Sequence, residues 1–540
     1  MKKQNFLHGS AALILSAMLT KLLGAIFRIP LANMLGGAGM GYFACAYGIF
    51  LPVYAVSVTG IPAAIAKLTA ENSALERFGN VIKIKRVSLA AFGFASLLLT
   101  AITAVFAYPF CVYIARNPSA FPAALVIAPA VFFGTVTAVY RGHYEGLRNM
   151  YPTALSQVAE ALAKLTVGLL LCRLALERYK DSPAVMVYAA AAAVLGVTLS
   201  TLAGMIFLII CDKFSGACRK GASTRGGVTD SSKSILKALL ATFIPIAAGS
   251  LVTNLTSLID LATIMRALNQ AIASAPEAFS GYAASGIPLD ALPNFIFGSF
   301  TGLAVTMFNL VPSFTNMFGK GVFPAAAEAF ASKDKAKIRC SGENVLFASA
   351  FTAIPAGLGI TVLARPILEF LFPGAPLEAE LSVMPLKILG IGVIFLSVSA
   401  AIFYLLQAAG RSDIPVKLMT IGVAVKLAGN VILVRIPALN ISGAAVSTAL
   451  CYFLIFILSL SAFSKITNIE KNVIKLLLFK IFYCGACCAG AALLARNILQ
   501  DYPKYGISLV VPIVFGGIIY IIVTYFAGIL TESTLKTLIS

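Results

Sequence analysis

Long apolar segments separated by short polar loops are the dominant pattern along this chain. Each segment has about 20 residues, which is enough for a helix to cross the hydrocarbon core of a bilayer. The pattern predicts an all-α integral membrane protein with about 14 transmembrane helices. The predicted spans lie near 6–27, 42–65, 87–109, 121–140, 153–172, 184–211, 238–265, 294–318, 345–364, 382–407, 414–434, 441–463, 474–495 and 506–530.

The composition supports lipid as the main solvent of the chain. Of 540 residues, 59% are hydrophobic and only 11% are charged, whereas soluble domains carry about 25% charged residues. The apolar segments leave no room for a sizeable water-soluble domain. The N-terminal Met1-Lys2-Lys3 precedes an apolar run without a convincing small-x-small cleavage site, so we interpret that run as an uncleaved first span.

The distribution of positive charge predicts the orientation of the chain. Lys and Arg, 41 residues in all, concentrate in every second loop, beginning with the N-terminal segment, which indicates that both termini are cytoplasmic. The net charge of +20 lies in short loops rather than in a compact basic domain. It therefore favours contact with the anionic cytoplasmic leaflet of the membrane over nucleic acid binding.

Two pairs of segments indicate an internal repeat. GIPAAIA, from Gly60, is similar to GVFPAAA, from Gly321, and the segment 146–164 is similar to 410–426, at nearly the same offset. Six predicted spans separate the copies, so the repeats run parallel, as in two-lobed transporters that hold their substrate between the lobes. We expect an N-terminal lobe at 1–225, a second lobe at 226–465, and two additional helices at 466–540.

Ionisable residues within the predicted spans are the first candidates for function. Each costs about 2.5–3.5 kcal/mol at mid-bilayer, so its presence needs a reason. Lys21 and Arg28 share one helix face, and the i,i+4 spacing of Glu160 and Lys164 predicts an intrahelical pair. Boundary positions for Arg28 and Arg266, and a packing role for that pair, are the structural alternatives. The expected cavity residues are Lys21, Arg28, Lys164, Arg266, Lys426 and Asn430, with Glu160 and Asp260 as charge partners or ion-coupling groups.

Proline and glycine within the spans are candidates for hinges. Proline removes a helix hydrogen bond and permits a bend, although many such prolines are merely tolerated kinks. The positions expected to break or bend helices are Gly60, Pro62, Pro245, Asn309 and Pro312.

Enzymatic chemistry has little support in the sequence. His8 and His143 are the only histidines, and no G-x-x-x-x-G-K-[ST] loop is present. Cysteines lie mostly within apolar segments, and Cys484-x-x-Cys487-Cys488 has no nearby ligands to complete a zinc site. We therefore expect no metal site and no cofactor. Transport would be driven by an ion gradient, by the membrane potential or by substrate supply, and a coupling ion would be either Na⁺ or H⁺.

Three stretches together resemble a known family. They are Lys21-x-x-Gly24-x-x-x-Arg28-Ile29-Pro30 with the segment 59–67, Phe308-Asn309-Leu310-Val311-Pro312-Ser313 with the segment 324–330, and Lys426-Leu427-Ala428-Gly429-Asn430 with the segment 440–445. This set resembles the polysaccharide-transporter branch of the MOP exporter superfamily, especially the group of stage V sporulation protein B and the MurJ-type lipid II flippases.

The resemblance implies a two-lobed flippase that moves an undecaprenyl-pyrophosphate-linked saccharide, such as a peptidoglycan precursor, from the inner to the outer leaflet. Cell-wall synthesis proteins are the implied partners, the last two helices would hold the lipid tail, and a role in sporulation is open. MurJ-type flippases carry additional arginines in spans two and eight, whereas 42–65 and 294–318 contain none, so another lipid-linked oligosaccharide is an alternative substrate. A MATE-type multidrug exporter, a membrane glycosyltransferase and a non-transporting scaffold are the rival functions.

Overall fold

The computed structural model describes residues 6–215, 230–283, 285–499 and 505–530. Its described residues form helices and turns without β-strands. The chain divides into two compact units, Met1–Ala262 (unit 1) and Thr263–Ser540 (unit 2). The three-part division expected at 225 and 465 stays a prediction.

Unit 1 is a bundle of long helices joined by short turns. A π-helical turn at Phe110–Ile114 and a 3₁₀ turn at Pro118–Ala120 join the third and fourth helices. The helices are α1 (Phe6–Val58), α2 (Ile61–Ala74), α3 (Phe78–Pro109), α4 (Phe121–Ile127), α5 (Pro129–Gly146), α6 (Tyr151–Arg178), α7 (Val185–Ser215) and α8 (Ser232–Ser274), which continues into unit 2.

A single glycine divides α1. Gly36 has φ 56° and ψ −166°, a conformation that is essentially restricted to glycine because a Cβ would clash with the backbone. The two expected spans at 6–27 and 42–65 are therefore joined through helix and one non-helical residue, rather than through a loop. Arg28 lies within the first segment of this helix.

A second glycine lies where α1 gives way to α2. Thr59 and Gly60 form a turn, and Pro62 occupies the first turn of α2, where its missing N–H leaves no hydrogen bond unmade. A Cβ on Gly60 would lie 3.0 Å from the carbonyl oxygen of Phe243 on α8. Gly60 thus permits close packing at this helix break, and its role as a hinge stays a prediction.

Close packing of glycines brings α6 and α7 together. A Cβ on Gly196 would lie 2.2 Å from the Cα of Gly168. The two backbones therefore approach more closely than any residue other than glycine would allow. Small residues at helix crossings have this effect in membrane proteins. The ring of Phe27, from α1, also lies against Gly168.

Unit 2 contains the end of α8 and a second helical bundle. It includes a 3₁₀ turn at Pro276–Phe279 and a π-helical turn at Phe300–Ala304. The helices are α9 (Ser280–Ala283), α10 (Leu292–Ser299), α11 (Val305–Ala331), α12 (Lys335–Leu371), α13 (Pro376–Ala408), α14 (Asp413–Leu433), α15 (Asn440–Thr467), α16 (Lys471–Ile498) and α17 (Tyr505–Phe526).

The remaining candidate hinge residues lie inside continuous helices. Pro245 is within α8 and Pro312 is within α11, and Asn309 donates from Nδ2 to the carbonyl of Val305 on its own helix (2.9 Å). The helices continue through these positions, and a role for these residues as hinges stays a prediction. The non-helical residue in this unit's longest helix is Leu363 in α12, three residues before Pro366, whose ring disfavours the helical hydrogen bond pattern.

The last two helices pack against α12. The Tyr520 hydroxyl donates to the carbonyl of Phe351 (2.8 Å), which satisfies a buried polar group and fixes α17 beside α12. The opposite side of α17 is apolar and open, with Tyr525 and Phe526 largely exposed. In a membrane this surface faces lipid.

The chain is a multi-pass membrane protein. Twelve helical stretches among the described residues are long and apolar enough to cross a bilayer. One of these stretches, Leu15–Ala74, covers two of the predicted spans. The helix α6 coincides with the predicted span 153–172, but it carries several charges and is not one of the twelve stretches. The all-α membrane class is confirmed, and the number of fourteen stays a prediction.

Candidate substrate cavity

A cavity of about 430 Å³ lies within unit 1. Both segments of α1 contribute to it, together with α5, α6 and α7. Among the described residues, its lining holds three cations and one carboxylate: Lys21, Arg141, Lys164 and Glu160. Neutral polar groups complete the lining, namely Thr20, Gln157, Ser200 and Thr201, and the aromatic residues are Tyr47, Phe50 and Tyr54.

Arg141 links α5 to α6 inside this cavity. Its Nη2 lies 2.9 Å from Oε2 of Glu160, and its Nε donates to the Ser156 hydroxyl (3.0 Å). The Arg141 and Glu160 side chains are only 15% and 23% exposed, so their charges interact in a less polar medium than bulk water. The predicted span 121–140 ends just before Arg141, whereas α5 continues to Gly146 and carries Arg141 within the helix.

Lys164 has aromatic partners rather than an acidic one. Its Nζ is 3.1 Å from the hydroxyl of Tyr47 and lies over the rings of Phe27 and Tyr47, 5.0 and 5.5 Å from their centres. Such cation–π contacts stabilise an ammonium group where water is scarce. The predicted intrahelical pair of Glu160 with Lys164 does not form, because Arg141 takes the carboxylate and the Lys164 side chain turns towards α1.

The two cations of the first span have different positions. Lys21 and Gly24 line the cavity, and Lys21 is exposed. Arg28 lies two turns further along α1, half-buried and beyond the lining residues. Their shared helix face therefore does not place both in this cavity.

The candidates of unit 2 form a separate polar network. Asn430 is fully buried; its Nδ2 donates to Oγ1 of Thr263 (3.1 Å), and the Ser447 hydroxyl donates to its Oδ1 (2.6 Å). Lys426, one turn earlier on α14, is 7% exposed, and its carbonyl also lies 3.0 Å from the Ser447 hydroxyl. This network joins α8, α14 and α15 within unit 2.

The structure thus groups some predicted site residues and leaves others apart. Lys21, Glu160 and Lys164 lie together in unit 1, and Lys426 and Asn430 lie together in unit 2. On α8, Arg266 is exposed and Asp260 is half-buried. Arg141, Gln157 and Tyr47 are cavity residues that the sequence interpretation missed; for Arg141, a signal was its position directly after the apolar run 129–140.

Two models of known protein families match this chain. The model described as "Polysaccharide biosynthesis protein" matches residues 6–330, and a MatE model matches residues 299–432. The chain belongs to the polysaccharide biosynthesis protein family. The expected resemblance is therefore confirmed.

Named relatives and solved structures agree with this family. Stage V sporulation protein B of Bacillus subtilis is 24% identical over 88% of this chain and 86% of its own length. Lipid II flippase MurJ of the same organism is 24% identical over 97% and 96%. MurJ is by name a flippase, which is a transporter rather than a catalytic enzyme.

The fold is shared with transporters of the MOP superfamily. A structure of lipid II flippase MurJ in an inward closed conformation matches with a TM-score of 0.66 at 14% identity, covering 96% of this chain and 98% of that one. An inward-facing MATE multidrug transporter of the MOP superfamily matches with a TM-score of 0.60 at 13% identity, covering 84% and 96%. The expected MATE/MOP-like helical fold is confirmed.

Proposed function

We propose that this family member is a flippase for a lipid-linked saccharide, which it moves from the inner to the outer leaflet of a bacterial cytoplasmic membrane by alternating access. The proposed carrier is undecaprenyl pyrophosphate, and a peptidoglycan precursor such as lipid II is the proposed cargo. The similarity of the whole chain to a lipid II flippase, MurJ, supports this choice of substrate class.

The observation that carries the proposal is the charge of the unit 1 cavity. A diphosphate cannot cross hydrocarbon unaided because its charge would lose its hydration. Lys21, Arg141 and Lys164 offer ammonium and guanidinium donors inside a membrane-embedded cavity that contains a single carboxylate among the described residues. Charge-assisted hydrogen bonds from these groups can replace the lost water.

In the cavity, Glu160 competes with the substrate for Arg141. Glu160 holds Arg141 when no phosphate is present, so binding of a diphosphate exchanges one anionic partner of Arg141 for another. This exchange lowers the net affinity, which a transporter needs in order to release its cargo. We further propose that α16 and α17 accommodate the lipid tail along their open apolar surface.

An exporter of organic cations is the rival function, and the MatE match over residues 299–432 is what favours it. Such a substrate requires carboxylates to offset its positive charge. The excess of cations in the unit 1 cavity opposes this reading, since it would repel an organic cation.

A reconstituted transport assay tests the proposal. Proteoliposomes containing the full chain and a labelled undecaprenyl-pyrophosphate-linked saccharide are scored for exposure of the label at the outer surface, with and without an imposed membrane potential. We expect Lys21→Ala to abolish flipping without lowering the amount of folded protein, and Lys21→Arg to retain it. Unchanged flipping by Lys21→Ala, or drug efflux without lipid movement, would overturn the proposal.

A further inference from the structure

The second segment of α1 carries a row of aromatic rings. Phe43, Tyr47, Phe50 and Tyr54 are spaced by four, three and four residues, which places them on one helix face. Neighbouring ring centres are 4.7, 5.9 and 4.8 Å apart along the row. The rings therefore form a continuous aromatic strip, Phe43 to Tyr54.

The strip passes from the protein core into the cavity. Phe43 and Phe50 are buried, at 1% and 5% exposure, and Tyr47, Phe50 and Tyr54 border the cavity. From residue 47 to residue 54 the helix rises about 10.5 Å, a length that accommodates one or two hexose rings. Tyr47 contacts the Lys164 ammonium group, whereas the rings of Phe50 and Tyr54 add apolar surface that a diphosphate does not use.

The rings are held in fixed positions. Tyr47 is fixed by its contact with the Lys164 ammonium group, 3.1 Å from the hydroxyl. The ring of Tyr54 lies so close to α5 that a Cβ on Gly134 would be 2.5 Å from its Cε2. Rings that are already ordered lose little conformational entropy when a ligand binds.

Aromatic faces and neutral polar groups are together suited to a sugar. The C–H bonds on one face of a pyranose ring are attracted to the negative face of an aromatic ring. Its hydroxyl groups need amide, carboxylate or hydroxyl partners, and Gln157, Ser200 and Thr201 supply these in the same cavity. A volume of about 430 Å³ falls within the usual range for small-molecule sites, about 300–1,000 Å³.

We infer that Tyr47, Phe50 and Tyr54 form a stacking wall for the sugar ring that is attached to the diphosphate. The cavity then distinguishes a loaded carrier from the empty carrier lipid, which has the same phosphates. This inference rests on the proposed function, and it adds recognition of the saccharide to recognition of charge.

A comparison of the binding of two lipids tests the inference separately from the proposed function. The full chain in nanodiscs is titrated with undecaprenyl pyrophosphate and with the same lipid bearing one N-acetylhexosamine, and the ratio of the two affinities is measured. We expect the sugar-bearing lipid to bind more tightly, and Tyr54→Leu to reduce that ratio by about fivefold. Tyr54→Phe, which keeps the ring, should retain the ratio.

A spectroscopic readout reports contact directly. The chain contains no tryptophan, so Phe50→Trp introduces a single tryptophan into the wall, whose emission can be excited selectively. Phe106→Trp places one on α3 where the side chain is 60% exposed. We expect the sugar-bearing lipid to shift the emission of the Phe50→Trp protein only, and the sugarless lipid to shift it less.

The outcomes are distinguishable. Equal affinities for the two lipids, with no sugar-dependent shift from Phe50→Trp, overturn the stacking wall and leave diphosphate recognition standing. Failure of the wild-type chain to bind either lipid overturns both the wall and the proposed function.

Discussion

At the scale of single residues, Arg141 has two partners on one neighbouring helix, and these fix both its position and its charge balance. Its guanidinium donates to Ser156 and pairs with Glu160 across the boundary between α5 and α6. Because the pair is only partly exposed, removing one member leaves the other without its partner in a poorly hydrated space. In the proposed function the same arginine also binds the substrate, so Glu160 and a phosphate would compete for its guanidinium group.

A double-mutant cycle separates these two roles of Arg141. Arg141→Met leaves the Glu160 carboxylate unpaired, so we expect a loss of about 1–3 kcal/mol in stability together with loss of flipping. Arg141→Met combined with Glu160→Met should recover most of the stability, measured as the thermal unfolding midpoint, without recovering flipping. If flipping returned in the double variant, Arg141 would be a structural residue only.

The backbone conformation of Gly36 leads to a second prediction. Gly36→Ala forces a Cβ into a region that is nearly exclusive to glycine, so we expect destabilisation of about 1–3 kcal/mol. Gly24→Ala, on the same helix, is the matched control, since an added Cβ there meets no atom within 4 Å and helix propensity improves. Equal unfolding midpoints for the two variants in detergent would contradict the assigned strain.

At the scale of helices, the contact between α6 and α7 sets the distance between two walls of the cavity. Glu160 and Lys164 project from α6, while Ser200 and Thr201 project from α7. Gly168 and Gly196 hold the two backbones together at one end of this polar layer. The glycines therefore influence the site without belonging to its lining.

Widening this crossing should impair transport. Gly196→Leu forces α6 and α7 apart, and we expect both a lower unfolding midpoint and a loss of flipping that exceeds the loss of folded protein. Gly490→Leu, on α16, is the control because a Cβ at that position meets no atom within 4 Å. Normal flipping by folded Gly196→Leu protein would show that the spacing of these walls is unimportant.

At the scale of the whole chain, the sequence predicted the class of fold well and the site only in part. Apolar run length is a direct physical requirement of the bilayer, so most helices appear where runs of about 20 residues occur. Apolar run length underestimates the length of a helix, since α3 and α5 extend beyond their apolar runs into charged residues. Arg141 was missed for that reason, and the aromatic partners of Lys164 were missed because they come from α1, more than a hundred residues earlier. Packing across such distances leaves no local signal.

The membrane topology is a prediction for the entire chain. If α6 crosses the bilayer, a reporter inserted after Asn149 is cytoplasmic and one inserted after Asp181 is external, and both termini are cytoplasmic. Alkaline phosphatase and green fluorescent protein fusions report the two sides. Finding both internal insertions on one side would exclude α6 as a span and reduce the count of fourteen.

The glycine at position 36 has a mechanical consequence. Lys21 precedes it by about 22 Å of helix, and Tyr47 to Tyr54 follow it by about 16–27 Å. Two parts of the cavity lining therefore lie on the two helix segments that Gly36 joins. A rotation of about 10° at this pivot would displace Lys21 by about 4 Å over that length. A change of two backbone angles in one residue would therefore be enough to widen or narrow the cavity.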